Sequence, residues 1–292
     1  MRDKGFKTID EQLDILIERG LSIPNREQAA EFLLQNNYYR VSGYSLTLRR
    51  HDEFSKNATF QNIIDIYEFD HELRNVLLKY IENIEVTIKS IYAYEFSKVY
   101  GPYGYLDLSN FTSEKIYRKT ISKAEEQKNS RHPHEAYLKH FIDDLHEDIP
   151  LWAYVDLLTI ADISFLYMIS PKAIKDTVAL SMGIKHSGAK LLGGFLHKMT
   201  ILRNLCAHGG RLFNRLFEQK PKLSKDEEAL LRIKPNGTKD IEHLYGFIMI
   251  MKRLLPKSNF ALMKLEIEKL TIKYPFVKMR YYGFRDDWKK VL

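Results

Sequence analysis

Two side chains suited to acid–base and phosphate chemistry stand close together in the segment RNLCAH. They are Arg203 and, five residues on, His208, with Asn204 between them. Histidine is the side chain best placed to move a proton near neutral pH. Arginine stays charged and holds a phosphate in fork geometry while negative charge builds on it. Together they suit RNA. The imidazole can take the proton of a ribose 2′-hydroxyl or give one to the leaving 5′-oxygen. Such an attack needs no metal and yields a 2′,3′-cyclic phosphate and a 5′-hydroxyl. The spacing alone also fits a plainer reading, in which Arg203 makes a salt bridge at the core edge and His208 caps a helix whose dipole favours it.

A helix over 188–208 must position the pair. Leu192, Phe195, Leu196, Met199, Leu202 and Cys206 form its apolar face, and Gly209-Gly210 is a C-terminal stop signal. Arg203 falls within that stripe, where a charge is costly unless it is paired or faces a cleft. Five residues advance an ideal helix by roughly 140° and 7.5 Å. The two groups therefore share no face of a straight helix. They line one cleft only if His208 sits at a fraying end or if a dimer brings two copies together. Cys206 has no base beside it in sequence and reads as a buried structural thiol.

The surrounding elements are helical too. Leu73, Leu77, Ile81, Ile84, Ile88 and Ile91 predict a long helix over 60–98, capped by Thr59 and packed against 188–208. Two short helices at 9–20 and 25–35 have a helix-turn-helix outline. Residues 38–54 lose the helical period and predict a short extended segment. A solvated helix is expected over 112–131 and another over 134–146. One opening at Pro150 carries Leu151, Val155, Leu158 and Ile163, and a further one opens at Pro171. Two more lie near 240–255 and 259–273. The fold class is all-α. The expected division is an N-terminal helical segment, 1–56, a helical bundle, 57–218, and a C-terminal helical extension, 219–292.

Composition narrows the function classes. A lone cysteine among 292 residues excludes an intrachain disulfide and fits a reducing cytoplasm. The charged start, Met1–Gln12, has no apolar core of a signal peptide, and no stretch approaches a membrane span. No Gly-rich phosphate loop appears, and no cofactor is expected. His132, His134 and His140 lack accompanying ligands at metal-binding spacing and read as solvated loop histidines. The formal charge of +7 favours a polyanionic partner such as nucleic acid.

The segment RNLCAHGGRLFNR, 203–215, resembles the signature of the abortive-infection (AbiD/AbiF-like) bacteriophage-resistance family. Further blocks match in order: EQLDILIERGLSI near the N-terminus, NYYRVSGYSL at 37–46, FDHELRNVLLKYIENIEV at 69–86, and IPLWAYVDLLTIADISFLY at 149–167. The resemblance covers roughly residues 4–217. That family is assigned to the HEPN superfamily of helical bundles, whose Arg-x4–6-His motif marks metal-independent ribonucleases. The resemblance implies a HEPN-like bundle, Arg203 and His208 as the catalytic pair with Asn204 in support, and a homodimer whose two motifs form a composite site. It also implies a role in phage defence or a toxin–antitoxin system, with a small noncoding RNA or another antitoxin as partner. Where relatives carry a Glu and then Phe-Gly, this chain has Asp156 and Ile160-Ala161.

Other residues have two readings each. Glu82 and Glu85 can orient Arg203 across the bundle, but Glu85 also stands four before Lys89 as an ordinary helix-surface pair. Arg40 near Tyr38, Tyr39 and Tyr44, Arg211 and Arg215 after the motif, and Arg280, Tyr281 and Tyr282 in the aromatic and basic tail are candidate RNA contacts. The tail pattern equally fits aromatics packed on the core with their charges outward. Against the nuclease stand two rivals: a nucleic-acid-binding regulator that uses residues 9–35, and an interaction protein in which RNLCAH is only a dimer seam.

Overall fold

The computed structural model describes residues 5–185 and 188–292; Met1–Lys4, part of the charged start, and His186-Ser187 lie outside them. The chain is all-α but for one minimal hairpin among the described residues. Helix α1 (Ile9–Glu18) opens with a capping box in which Thr8 and Glu11 satisfy each other's backbone amides. Helix α2 (Arg26–Asn36) is capped by Asn25, as its sequence predicts, and packs on α1. Asn37 then takes a left-handed φ of 59° and restarts the chain as α3 (Tyr38–Ser42). The expected extended segment is confined to strands β1 (Arg49–Arg50) and β2 (Glu53–Phe54), with Arg49 opposite Phe54.

Helix α4 (Phe60–Tyr100) runs 41 residues, about 60 Å at the α-helical rise. Thr59 caps it in a capping box with Asn62, and Gly101 ends it at a φ of 75°. Its buried side carries Ile66, Leu73, Leu77, Ile81, Ile84 and Ile88, and two charged residues, Asp70 and Arg74, lie in the same stripe. Helix α5 (Glu114–Arg131) is mostly exposed and buries Tyr117, Thr120 and Ala124.

Two expected helices are shorter than their patterns. In place of 134–146 there is a single turn, α6 (Ala136–Lys139), that widens over His140–Asp144. The helix opening at Pro150 stops after α7 (Leu151–Tyr154) and a tighter turn at Val155–Leu157. Thr159 then begins α8 (Ile160–Ile169). Its hydroxyl accepts from the Asp162 amide while the Asp162 carboxylate accepts from the Thr159 amide, a local bargain that ends one helix and starts the next. Helix α9 (Lys172–Ser181) follows Pro171, and α10 spans Gly188–Ala207. The C-terminal stretch adds α11 (Lys225–Ala229), α12 (Leu244–Leu254), α13 (Lys257–Lys273) and α14 (Trp288–Val291).

Helix α10 packs against α4, α8 and α9, so the two long periodic helices lie together as their stripes predict. Helix α13 lies along α4, and α12 reaches α10. One apolar core runs from Leu13 to Leu292, so residues 219–292 thicken the bundle that holds α10.

Candidate functional site

Helix α10 ends where its sequence signals the stop. Gly209 takes a φ of 65°, its amide donates to the Cys206 carbonyl at 3.1 Å, and the Gly210 amide donates to the Leu205 carbonyl at 2.7 Å. This paired arrangement satisfies the last helical carbonyls and places His208 at the C-cap. The His208 amide still donates to the Asn204 carbonyl at 3.0 Å, so the helix has not frayed there. Cys206 is buried, and burial pushes its thiol up to about 12. Arg203 is half-buried at the edge of the helix, whereas Asn204 and His208 are exposed. Among the described residues, no side-chain hydrogen bond or ion pair engages Arg203, Asn204 or His208. His208 thus holds the cap position of the plainer reading with no side-chain hydrogen bond to any carbonyl among the described residues, and no salt bridge among them reaches Arg203.

The chain beyond the cap is tied down from behind. Asp70 is completely buried and accepts from the Leu212 amide at 3.1 Å, the Phe213 amide at 2.8 Å, the Tyr44 hydroxyl at 2.8 Å, the Tyr282 hydroxyl at 3.0 Å and Arg74 Nη1 at 2.5 Å. Burial pushes the Asp70 carboxyl up, while Arg74, the Leu212 amide and the two hydroxyls act against it. Arg74 Nη1 also lies 3.5 Å from the Gly210 carbonyl oxygen. Two further arginines clamp the same turn from outside. Arg40 donates through Nη2 to the Gly209 carbonyl at 2.7 Å and through Nε to the Tyr67 hydroxyl at 3.1 Å. Arg211 donates through Nη1 to the Gly43 carbonyl at 2.9 Å and to the Phe213 carbonyl at 3.0 Å. The peptides at 209–213 are therefore held by Arg40 from α3, by Asp70 and Arg74 from α4 and by Arg211 of the turn itself, with Tyr282 of the C-terminal tail bonded to Asp70 behind them.

The sequence profile of one family, described as Abi-like protein, matches residues 31–214, more than half of the chain. The chain belongs to this abortive-infection family. No curated protein and no solved structure shows significant similarity to it. The family span opens within α2 and closes inside the clamped turn, so the clamp, α4 and α10 all belong to the Abi-like part. Helix α1 and helices α11 to α14 lie outside it, as does the whole N-terminal block EQLDILIERGLSI, residues 11–23.

The remaining candidates fall into two groups. Arg40, Arg211, Tyr281 and Arg280 converge on the turn after the motif. Tyr281 meets Phe213 edge to face at 5.3 Å between ring centres, its carbonyl accepts from the Asn214 amide, and Arg280 lies over its ring at 5.1 Å. Arg215 is exposed and covers Phe217 at 5.9 Å. Two expectations need correction. Tyr282 is fully buried and spends its hydroxyl on Asp70, so its ring cannot stack on a base. Glu85 pairs with Lys89 at 2.9 Å and makes no ion pair with Arg203, because the i,i+4 partner on its own helix is the nearer cation. Glu82 is exposed. The histidines at 132 and 140 meet single aspartates, Asp143 at 2.9 Å and Asp144 at 3.4 Å, and no metal-binding cluster forms among the described residues.

Sequence reading missed Asp70, Arg74 and Tyr67, and it placed Tyr44 near RNA, whereas Tyr44 is buried with its hydroxyl on Asp70. A signal existed for the first two. An acid and a base four apart in FDHELRN sit inside an apolar stripe, where neither is tolerated without a partner.

Proposed function

We propose that this Abi-like protein is a metal-independent endoribonuclease of a phage-defence or toxin–antitoxin system, with Arg203 and His208 as its catalytic pair and Asn204 in support. The observation that carries the proposal is a pair of uncommitted side chains at the end of a helix whose exit is rigidly held. Among the described residues no side-chain hydrogen bond or ion pair engages Arg203 or His208, while four peptide groups behind them are bonded to Asp70, Arg40 and Arg211. Fixed placement of free catalytic groups is what a transition state for phosphoryl transfer needs. Because α10 is regular through His208, about 140° separates the pair around one helix. A composite site built by two copies resolves that mismatch, with each arginine holding the phosphate and a histidine moving the proton. The charge of +7 and the cations Arg215 and Arg280 near the turn suit an RNA substrate.

The mechanism fixes the products. Incubation of the purified protein with single-stranded RNA in EDTA should give fragments ending in 2′,3′-cyclic phosphate and starting with 5′-hydroxyl. A substrate with one 2′-deoxyribose at the cut position should resist there. Fragments with 5′-phosphates, or cleavage that needs added divalent metal, would contradict the mechanism.

A further inference from the structure

We infer that Arg40 is a positioning residue for His208, acting through the Gly209 carbonyl rather than through RNA. The kinetic half of this inference rests on the nuclease reading; the structural half does not. Helix α3 and the motif turn exchange arginines. Arg40 of α3 donates to Gly209 beside His208, and Arg211 of the turn donates back to Gly43 just after α3. Each arginine approaches a glycine closely. A Cβ at Gly209 would lie 3.2 Å from Arg40 Nη2, and one at Gly43 would lie 3.3 Å from Arg211 Nε. Arg40 is itself held, since its Nε bonds the Tyr67 hydroxyl and its guanidinium lies 5.5 Å from the centre of the Tyr67 ring. Tyr67 is on α4, which packs on α10.

The geometry gives Arg40 a particular task. Gly209 sits at a positive φ and, like Gly210 after it, has no Cβ to restrict its torsions. Its carbonyl is the handle by which that freedom is removed. The Gly209 amide is fixed by its bond to the Cys206 carbonyl and the Gly209 carbonyl, on the next peptide, by Arg40, so the two bonds together set both Gly209 torsions and the path of the chain leaving His208. A misplacement of about 1 Å at a reacting group can cost on the order of 100-fold in rate. Arg40 is exposed, so its loss should disturb position far more than folding.

Arg40→Met keeps the aliphatic stem and removes every donor. Arg118→Met, which removes an exposed arginine paired with Glu114 on α5, is the control. In Arg40→Met the NMR signal of the His208 imidazole should shift or broaden, and the Gly209 and Gly210 amides should exchange faster, with a Tm within about 2 °C of the parent. On RNA, kcat should fall by at least tenfold while KM changes little. Arg40→Lys, which can still reach the Gly209 carbonyl with one donor, should recover part of kcat. Arg118→Met should change none of these. Unaltered His208 and Gly209 signals in Arg40→Met would overturn the inference. So would a raised KM at constant kcat, which would make Arg40 an RNA-binding residue, or altered signals with parental kcat. If the parent protein cuts no RNA, the nuclease reading fails, and the NMR measurements still decide whether Arg40 holds His208.

Discussion

Asp70 holds more of the site than any other residue whose side chain is hidden. Its two carboxylate oxygens accept from five donors, two of them amides of the chain just past His208. Removing one partner of a buried pair leaves an uncompensated charge and costs about 3–5 kcal/mol. Asp70→Ala strands the Arg74 guanidinium and two buried amides and should reach that range. Tyr282→Phe removes a single donor and should cost about 1 kcal/mol. Urea unfolding of both variants measures the difference, and equal losses would show that Asp70 is not the hub. At this scale the sequence was legible where chemistry is local. RNLCAH read as the end of a helix, where the structure leaves Arg203 half-buried and His208 exposed, and Cys206 read as the buried thiol that it is. Asp70 was readable only as an acid in the stripe with Ile66, Leu73 and Leu77. Its partners at Leu212, Phe213 and Tyr282 stand over 140 positions away, and no local pattern names them.

Elements were legible in proportion to their length and to the strength of their caps. The stripes of α4 and α10 predicted two long helices and their contact, because burial of one continuous face dominates at that length. Shorter segments were decided by capping. The Thr159–Asp162 box divided a helix that the apolar spacing from Leu151 to Ile163 made continuous. The irregular chain between the motif turn and α12 is held by ion pairs instead. Glu242 accepts from Lys220 Nζ at 2.7 Å and Lys234 Nζ at 2.8 Å, and these two hydrogen bonds lower its carboxyl from 4.5 to about 2. Its folded value lies below its unfolded one. The stability it adds is therefore complete above about pH 4.5 and is lost as pH falls toward 2. Pepsin should cut residues 218–243 progressively faster than α4 or α10 across that window. Glu242→Gln should already be susceptible at pH 4.5. Identical digestion of parent and variant at every pH would rule out this role for Glu242.

For the whole molecule, the governing fact is the outward face of α10. His197, Asn204, Ala207 and His208 are exposed on it, with Arg203 at its edge. The helix bundle buries the other side completely through Leu192, Leu196, Met199 and Leu202. The catalytic account needs a second copy against this face, and an isologous two-fold dimer is the simplest assembly that supplies one. Light scattering should give twice the chain mass of 34.4 kDa at micromolar concentration. A monomer that cuts RNA at that concentration would refute the composite site while leaving the residue assignments open. The sequence carried the dimer through the five-residue spacing of the pair and through family resemblance, and not through an apolar stripe, since His197, Asn204 and His208, exposed on that face, are polar.

In the proposed mechanism Arg203 and His208 perform the chemistry. Losing His208 removes proton transfer, worth about 10²–10⁴-fold. Losing Arg203 removes charge stabilisation of about 10²–10³-fold. The direct measurement is the single-turnover cleavage rate of single-stranded RNA by the parent, Arg203→Ala and His208→Ala, with circular dichroism on each. The account predicts that both variants keep the helical spectrum and lose at least a hundredfold in rate. Folded variants that cut as fast as the parent would contradict it and return both residues to the helix end as structure alone.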